Sequence, residues 1–376
     1  MSDKSAYSRR SFLTRGAMAG GAATGAMLAA PAVLAQSPMV IKMQTAWPSS
    51  NIWQEMAQDY ANRVEEMSGG SLTIDLLPAG AVVGAFQVLD AVNDGILDAG
   101  HDVPVYWYGK NKAASLFGTG PVFGGSAGTM LSWFYEGGGA EFYRELTQDI
   151  MGLNIVGYMA FPMPAQPFGW FKNEVNTVDD IQGFKYRTVG LAADLMQSMG
   201  MSVAQLPGGE IVPAMERGVI DAFEFNNPSS DRDFGAQDVA KNYYLGSYHQ
   251  ASESFEFLFN RDFLEDLDPA HQAILKYAVE AVSTANTAKA MRRYSEDLKW
   301  FQENSGVTVH RTSNEILAAQ IEAWDKLIPE LEADEFMKRV LDSQRAWTEL
   351  VTYYELMNAP DYALAYEHYF PGKLKL

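Results

Sequence analysis

From Val40 onward, short apolar runs alternate with amphipathic stretches in a regular rhythm. "VIKMQTAW" (residues 40–47) reads as a strand. Ser49 or Ser50 is placed to cap a helix over residues 52–67, where apolar positions recur at helical spacing. "SLTIDLLP" (71–78) is a second strand, "FQVLDAVNDG" (86–95) a short helix and "LDAGHDVP" (97–104) a third strand. This β-α-β-α-β order builds a parallel sheet with right-handed crossovers. The rhythm returns later: "AVNDGILDA" (91–99) aligns without a gap with "AMERGVIDA" (214–222). Each reads as a helix end, a glycine suited to the left-handed C′ position, and Asp-Ala opening a strand. Either such junctions are common to any α/β protein, or two lobes of similar design each carry the unit.

Further strands are expected over residues 168–171, 186–189 and just before Glu224, with a helix after the second. "EGGGAEF" (136–142) reads as a helix interruption. From Arg261 the chain turns helical. Asp268 is the cap, Pro269 the first position and Gly306 the stop of one long helix. Thr312 and Glu315 form a T-x-x-E capping-box pattern for the next. A last long helix opens at Asp334, with Phe336, Val340, Trp347, Val351 and Tyr354 at helical spacing. That stripe either covers its own lobe or meets a second copy of the chain.

Charge and composition then narrow the function classes. Residues 1–35 carry "SRRSFLT", a weakly apolar Ala/Gly-rich run and a small-residue cleavage pattern at "VLA", which reads as a twin-arginine-type export signal. Its removal leaves 341 residues with 24 basic and 46 acidic side chains, a formal charge of −22. Such a balance argues against nucleic acid and anionic lipid. There are no cysteines, so disulfides, thiolate metal sites and cysteine nucleophiles are excluded. No later apolar run is long enough to span a bilayer, and the mature chain is expected to be soluble. Its length suggests two domains.

Little in the chain points to catalysis. The five histidines (101, 249, 271, 310, 368) show no i, i+4 metal spacing, and no P-loop, G-x-S-x-G or G-x-G-x-x-G is present. A different constellation stands out. Gln166 precedes one strand, Arg187 ends another and Glu224 ends a third, followed by Phe225 and Asn226. Ligands of open α/β sheets bind beyond the carboxyl ends of strands, so these side chains can share one crevice. A guanidinium there matches a carboxylate, while a carboxylate and an amide oxygen suit Na⁺ or Ca²⁺. From the residues alone, Arg187 divides evenly between a structural ion pair and a ligand clamp.

The segments "TAWP", "LDAVNDGILDAGH", "YWYGK", "GWFKNEV", "GFKYRTVGLAADLMQSMG", "GGEIVPAMERGVIDAFEF" and "KNYYLGSYHQ" occur in this order. Through them the sequence resembles the periplasmic solute-binding subunits of tripartite (TRAP-type) transporters, the DctP-like family. More narrowly it resembles the branch that binds α-keto and related carboxylic acids. The resemblance implies an α/β, two-lobed periplasmic-binding-protein fold with a long C-terminal helical segment. Lobe 1 would span 38–160, completed by part of 255–330, and lobe 2 would span 161–254. Residues 330–376 would form a tail that is a candidate dimerisation element. It further implies a non-enzymatic protein of the periplasm that captures a small carboxylate, a 2-oxo acid such as pyruvate or a 2-hydroxy acid such as lactate, and delivers it to a membrane permease. Arg187 would bind the carboxylate. Gln166, Glu224 and the backbone carbonyl of Phe225 would hold Ca²⁺ or Na⁺ touching the substrate, with no organic cofactor. Phe225 stands where the branch often has Trp, and Gln250 stands where a further acidic metal ligand is expected. Asn226, Tyr106, Trp107 and Trp47 are candidate pocket residues. An exported metal-dependent lyase or hydrolase, with His101 or His249 as base, and a ligand-sensing module are the competing readings.

Overall fold

The computed structural model describes residues 38–374; the expected export signal lies outside them. Strand β1 (Met39–Thr45), helix α1 (Ile52–Met67), β2 (Leu72–Leu77), α2 (Val88–Asn93) and β3 (Ala99–Asp102) follow the expected order. The cap of α1 differs from expectation. Asn51 rather than Ser49 or Ser50 accepts from Trp53 N at 3.0 Å. Helices α3 (Ala127–Glu136) and α4 (Gly139–Arg144) flank the glycine run, which does break one helix into two. They lead to β4 (Ile155–Met163), a strand that no expectation covered.

The second half of the repeat comprises β5 (Gly169–Phe171), β6 (Lys185–Arg187), α5 (Leu191–Ser198), β7 (Ser202–Ala204), α6 (Ile211–Glu216) and β8 (Ala222–Phe223). The aligned nonapeptides are structurally equivalent down to their hydrogen bonds. Gly95 and Gly218 sit at φ +70° and +68°. Ile96 N donates to Ala91 O and Val219 N to Ala214 O, each at 2.9 Å. Asp98 N then bonds Lys42 O and Asp221 N bonds Lys185 O, while each aspartate carboxylate accepts the returning lysine N–H. One hydrogen-bond scheme thus ties helix end to strand start twice, once per sheet.

Short helices α7 (Pro228–Asp233) and α8 (Ala236–Val239) precede β9 (Asn242–Leu245) and β10 (Glu253–Asn260). The first sheet has the order β2-β1-β3-β10-β4, with β10 antiparallel to both neighbours. After α9 (Arg261–Asp266), α10 (Pro269–Asn304) and β11 (Thr308–Arg311), the second sheet is complete as β11-β9-β5-β8-β6-β7. The 36 residues of α10 reach about 54 Å at 1.5 Å per residue. Leu275, Val279 and Val282 near its start join the core under the first sheet, and Phe301 near its end packs on Trp170 and Tyr243 of the second. One helix therefore packs on both sheets.

Helix α11 (Asn314–Leu331) does not use the expected capping box. Ser313 caps it, Thr312 turns its hydroxyl to Leu245 O, and Glu315 accepts from Val178 N across to the second lobe. Helix α12 (Glu335–Asn358) is capped by Asp334 as expected, and a short α13 (Tyr362–Tyr369) follows. The apolar stripe of α12 is buried only over its first half. Phe336, Val340, Leu341 and Thr348 are covered, and Trp347 Nε1 bonds Ser132 Oγ. Leu350, Tyr353, Tyr354, Leu356 and Met357 face solvent, as do Tyr362, Leu364 and Tyr369 of α13, each at least 65% exposed. Among the described residues no helix is long and apolar enough to cross a membrane.

Candidate functional site

Strands β6 and β8 run parallel with Arg187 opposite Phe223, so the chain beyond both strand ends carries Arg187 and Glu224 to one place. Arg187 is 1% exposed. Its Nε donates to Leu206 O at 2.8 Å, and its Nη1 donates to both Glu224 O and Glu224 Oε1 at 3.0 Å. These bonds fix the guanidinium, and the Phe225 ring lies 5.5 Å from its carbon. Nη2 remains buried and without a partner. The two sequence readings of Arg187 thus describe different edges of the same group: one edge makes the structural ion pair, the other faces a cavity.

That cavity is a small chamber lined by Trp47, Val103, Tyr106, Gln166, Arg187, Val189, Phe225, Asn226 and Glu253. Its acceptors match its donor. Gln166 is held by its N–H on Gln250 O at 2.9 Å and gives its amide Nε2 to Glu253 Oε2, leaving Oε1 unpartnered. Glu224 Oε2 and Glu253 Oε1 are also buried and unpartnered. Burial raises Glu224 to about 7 although Arg187 pulls it down, and burial with the nearby Glu224 charge raises Glu253 to about 8. Two crowded carboxyls and an amide oxygen, all with free lone pairs, form a hard-oxygen set suited to Ca²⁺ or Na⁺. No cluster of three His, Asp or Glu is present among the described residues, which leaves carbonyl oxygens to complete such a shell.

Several expected residues fall elsewhere. Trp107, next to Tyr106 on one tight turn, points away from the chamber and donates Nε1 to Asp102 at 3.2 Å. Gln250 does not line the chamber: its Nε2 donates to Thr119 Oγ1 and its backbone carbonyl accepts from Gln166 N, while its side-chain Oε1 is buried without a partner. Asn226 lines the chamber while its Oδ1 accepts from Trp53 Nε1 at 3.2 Å. His101 and His249 are fully buried, with burial holding them at about 4 and about 3, and neither lines the chamber. Glu253 was missed. Its signal lay in "ESFEFLFN", a strand buried at every position that nevertheless contains two acids. The second, Glu256, is the cross-strand partner of Asp102 and accepts from the Tyr143 hydroxyl. Burial lifts Asp102 to about 7 and Glu256 well above the ordinary carboxyl range.

The chamber lies between the lobes and is shut on two sides. Asn51 Nδ2 donates to Ser230 Oγ and Ile52 N to Asp233 Oδ2, joining the start of α1 to α7. Elsewhere Tyr108 Oη and Lys112 Nζ both reach Asp194 of α5, at 2.6 and 2.9 Å. Gly190, at φ +65°, lets this approach happen: a Cβ there would stand 2.0 Å from Val105 Cγ2.

Residues 43–334 match the model of the bacterial extracellular solute-binding proteins, family 7 (DctP). The chain belongs to this family. A monocarboxylate 2-oxoacid-binding periplasmic protein of Nostoc sp. is 32% identical over 87% of this chain and 88% of its own. A TRAP transporter solute-binding protein of Bordetella bronchiseptica superposes with a TM-score of 0.81 at 27% identity, covering 89% of this chain and 98% of the other. That protein is a dimer with calcium and picolinate in one site and an apo second site. A TRAP periplasmic solute-binding protein of Pseudoalteromonas atlantica, with sodium and pyruvate bound, superposes at 0.78 with 29% identity, over 86% of this chain and all of the other. The DctP family is a solute-binding family of transport systems, and its two-lobed fold is the one described above.

Proposed function

We propose that this DctP-family protein captures a small monocarboxylate together with a cation in the periplasm and hands it to a TRAP membrane permease. A 2-oxo acid such as pyruvate, or the corresponding 2-hydroxy acid, fits best. The observation that carries the reading is a set of unpartnered atoms: Arg187 Nη2, Gln166 Oε1 and Glu253 Oε1 on residues that line one chamber, and Glu224 Oε2 on the ion-pair partner of Arg187. Burying such atoms is costly unless a ligand meets them. Charge decides what that ligand is. Without a cation Glu253 keeps its proton up to about 8, so Arg187 and an ionised Glu224 cancel and a lone organic anion would bring the site to −1. A cation that displaces the proton leaves Arg187 and two carboxylates at −1. A monocarboxylate with Ca²⁺ brings it to zero, and with Na⁺ leaves it at −1. A dicarboxylate with Ca²⁺ would leave it at −1. Gln166, Glu224 and Glu253 would hold the cation, with the Phe225 carbonyl as a further ligand, and Arg187 would hold the carboxylate. The 2-oxoacid-binding Nostoc relative and the pyruvate-bound Pseudoalteromonas structure support the substrate class.

Thermal melting of chelator-treated protein tests this. Pyruvate with Ca²⁺ is expected to stabilise by about 2.7 kcal/mol at a hundredfold excess over Kd, far more than either alone. No shift with any carboxylate and cation pair would overturn the proposal.

The exposed tail supports a homodimer. Large apolar side chains recur as exposed positions over residues 350–370, a concentration of the kind that marks interaction surfaces. Light scattering should give a dimer for the full mature chain and a monomer for a chain ending at Glu349, with pyruvate binding retained in both. A monomeric full chain would refute the role assigned to the tail.

A further inference from the structure

We infer that the indole N–H of Trp47 is the second donor to the ligand's carboxylate, opposite Arg187, and thereby sets specificity for an acceptor-only anionic group. This inference rests on the proposed binding of a carboxylate in the chamber. Trp47 is 1% exposed, lines the chamber, and its Nε1 has no partner. With Arg187 Nη2, it is one of two unpartnered buried N–H groups on that wall.

The ring is too firmly placed for this to be slack. Just beyond β1, Ala46 N bonds His101 O, Trp47 N bonds Thr45 Oγ1 at 3.2 Å, and Trp47 O accepts from Ala79 N at 2.9 Å. The indole is wedged among Trp53, Tyr106, Phe255 and His101, with centroids 5.5 to 6.5 Å away. Phenylalanine would satisfy a merely apolar wall, whereas a buried, unpaired indole N–H is unfavourable without an acceptor. His101 does not accept from it: Nδ1 donates to Glu256 O, and Nε2, the acceptor of the neutral ring, makes no hydrogen bond. The free acceptors on Gln166 and Glu253 of the chamber, and on the adjoining Glu224, are the set assigned to the cation. The indole can only donate, so it pairs with a carboxylate or oxo oxygen and gives nothing to a group that presents N–H. A carboxylate is thereby favoured over the corresponding carboxamide.

The test uses pyruvate and Ca²⁺ with the mature full chain. Trp47→Phe is expected to raise the pyruvate Kd about tenfold, the scale of one lost charge-assisted hydrogen bond, while Ca²⁺ affinity without pyruvate stays unchanged. In the wild type, one of the eight indole N–H resonances should move downfield and slow its solvent exchange when pyruvate is added to the Ca²⁺-loaded protein. Assignment of that resonance to Trp47 needs no variant, so the measurement stands even if Trp47→Phe folds poorly. Wild-type pyruvate binding with an unmoved Trp47 resonance, or with an unchanged Kd in Trp47→Phe, would overturn this inference alone. Failure of the wild type to bind pyruvate or any other monocarboxylate would overturn the proposed function, and this inference with it.

Discussion

Arg187→Ala is expected to lose carboxylate binding by at least about a hundredfold, and to melt lower than the wild type without ligand. Two separate losses are involved. The ligand loses a charge-assisted donor in a water-poor chamber, where such a bond contributes about 1.5–3 kcal/mol. The fold loses the bonds from Nε to Leu206 and from Nη1 to Glu224, leaving that carboxyl buried without its counter-charge. Breaking a buried pair costs about 3–5 kcal/mol when the orphaned charge persists. Here burial already holds Glu224 near 7, so without the arginine it keeps a proton at neutral pH and the cost falls toward about 1–3 kcal/mol. Arg187→Lys separates the losses: it restores a positive charge but not the two-edged fork, so it should recover melting temperature more than affinity. Titration calorimetry with pyruvate and Ca²⁺, beside melting of the apo proteins, reads both quantities. Wild-type affinity in Arg187→Ala would leave the guanidinium as an ion pair and nothing more.

Glu253→Gln should move stability and function in opposite directions. Without a cation, the chamber confines two carboxyls around one arginine, and Glu253 is raised to about 8 by burial and by Glu224. The amide keeps an acceptor oxygen while removing that strain, so the apo variant should be more stable than the wild type by an amount on the order of 1–2 kcal/mol at pH 8. The sign follows from proton binding. Above about pH 4.5 the unfolded chain releases this proton, whereas the folded chain keeps it until about 8. The unfolded state therefore binds fewer protons across that window, and wild-type apo stability falls as pH rises through it. In the variant this part of the slope disappears. The cost is borne by the cation: with one carboxylate fewer, Ca²⁺ should no longer raise pyruvate affinity appreciably. Melting curves from pH 5 to 8.5, in chelator and in Ca²⁺, show both effects. An apo variant less stable than the wild type at pH 8, or one with full calcium dependence, would contradict the role given to Glu253.

Much of this was legible along the chain because it depends on local chemistry. The helix-end glycines and strand-opening Asp-Ala pairs at 91–99 and 214–222 fix backbone geometry within nine residues, and the two copies fold alike. Arg187 and Glu224 could be linked because each ends a strand, and strand ends of a parallel sheet share an edge. Their numbers in the sequence carried no information about Glu253. That residue reaches the chamber because β10 runs antiparallel between β3 and β4 of the other lobe's sheet, a pairing between segments roughly 150 and 100 residues apart.

What the sequence by itself determined is the repeated β-α-β-α-β unit, the acidic, cysteine-free character, and a lone guanidinium beside polar strand ends. Only the tertiary structure decided which polar atoms are left without partners. Gln250 spends its amide N–H on Thr119, Trp107 spends its N–H on Asp102, and Trp47 and Glu253 keep a free polar atom at the chamber. It also decided that α12 covers its own lobe with one half and presents the other to solvent. The physical reason is common to all of these. Propensity and periodicity act over a few residues, whereas satisfaction of a buried polar atom, or burial of an apolar one, depends on whatever distant segment arrives against it.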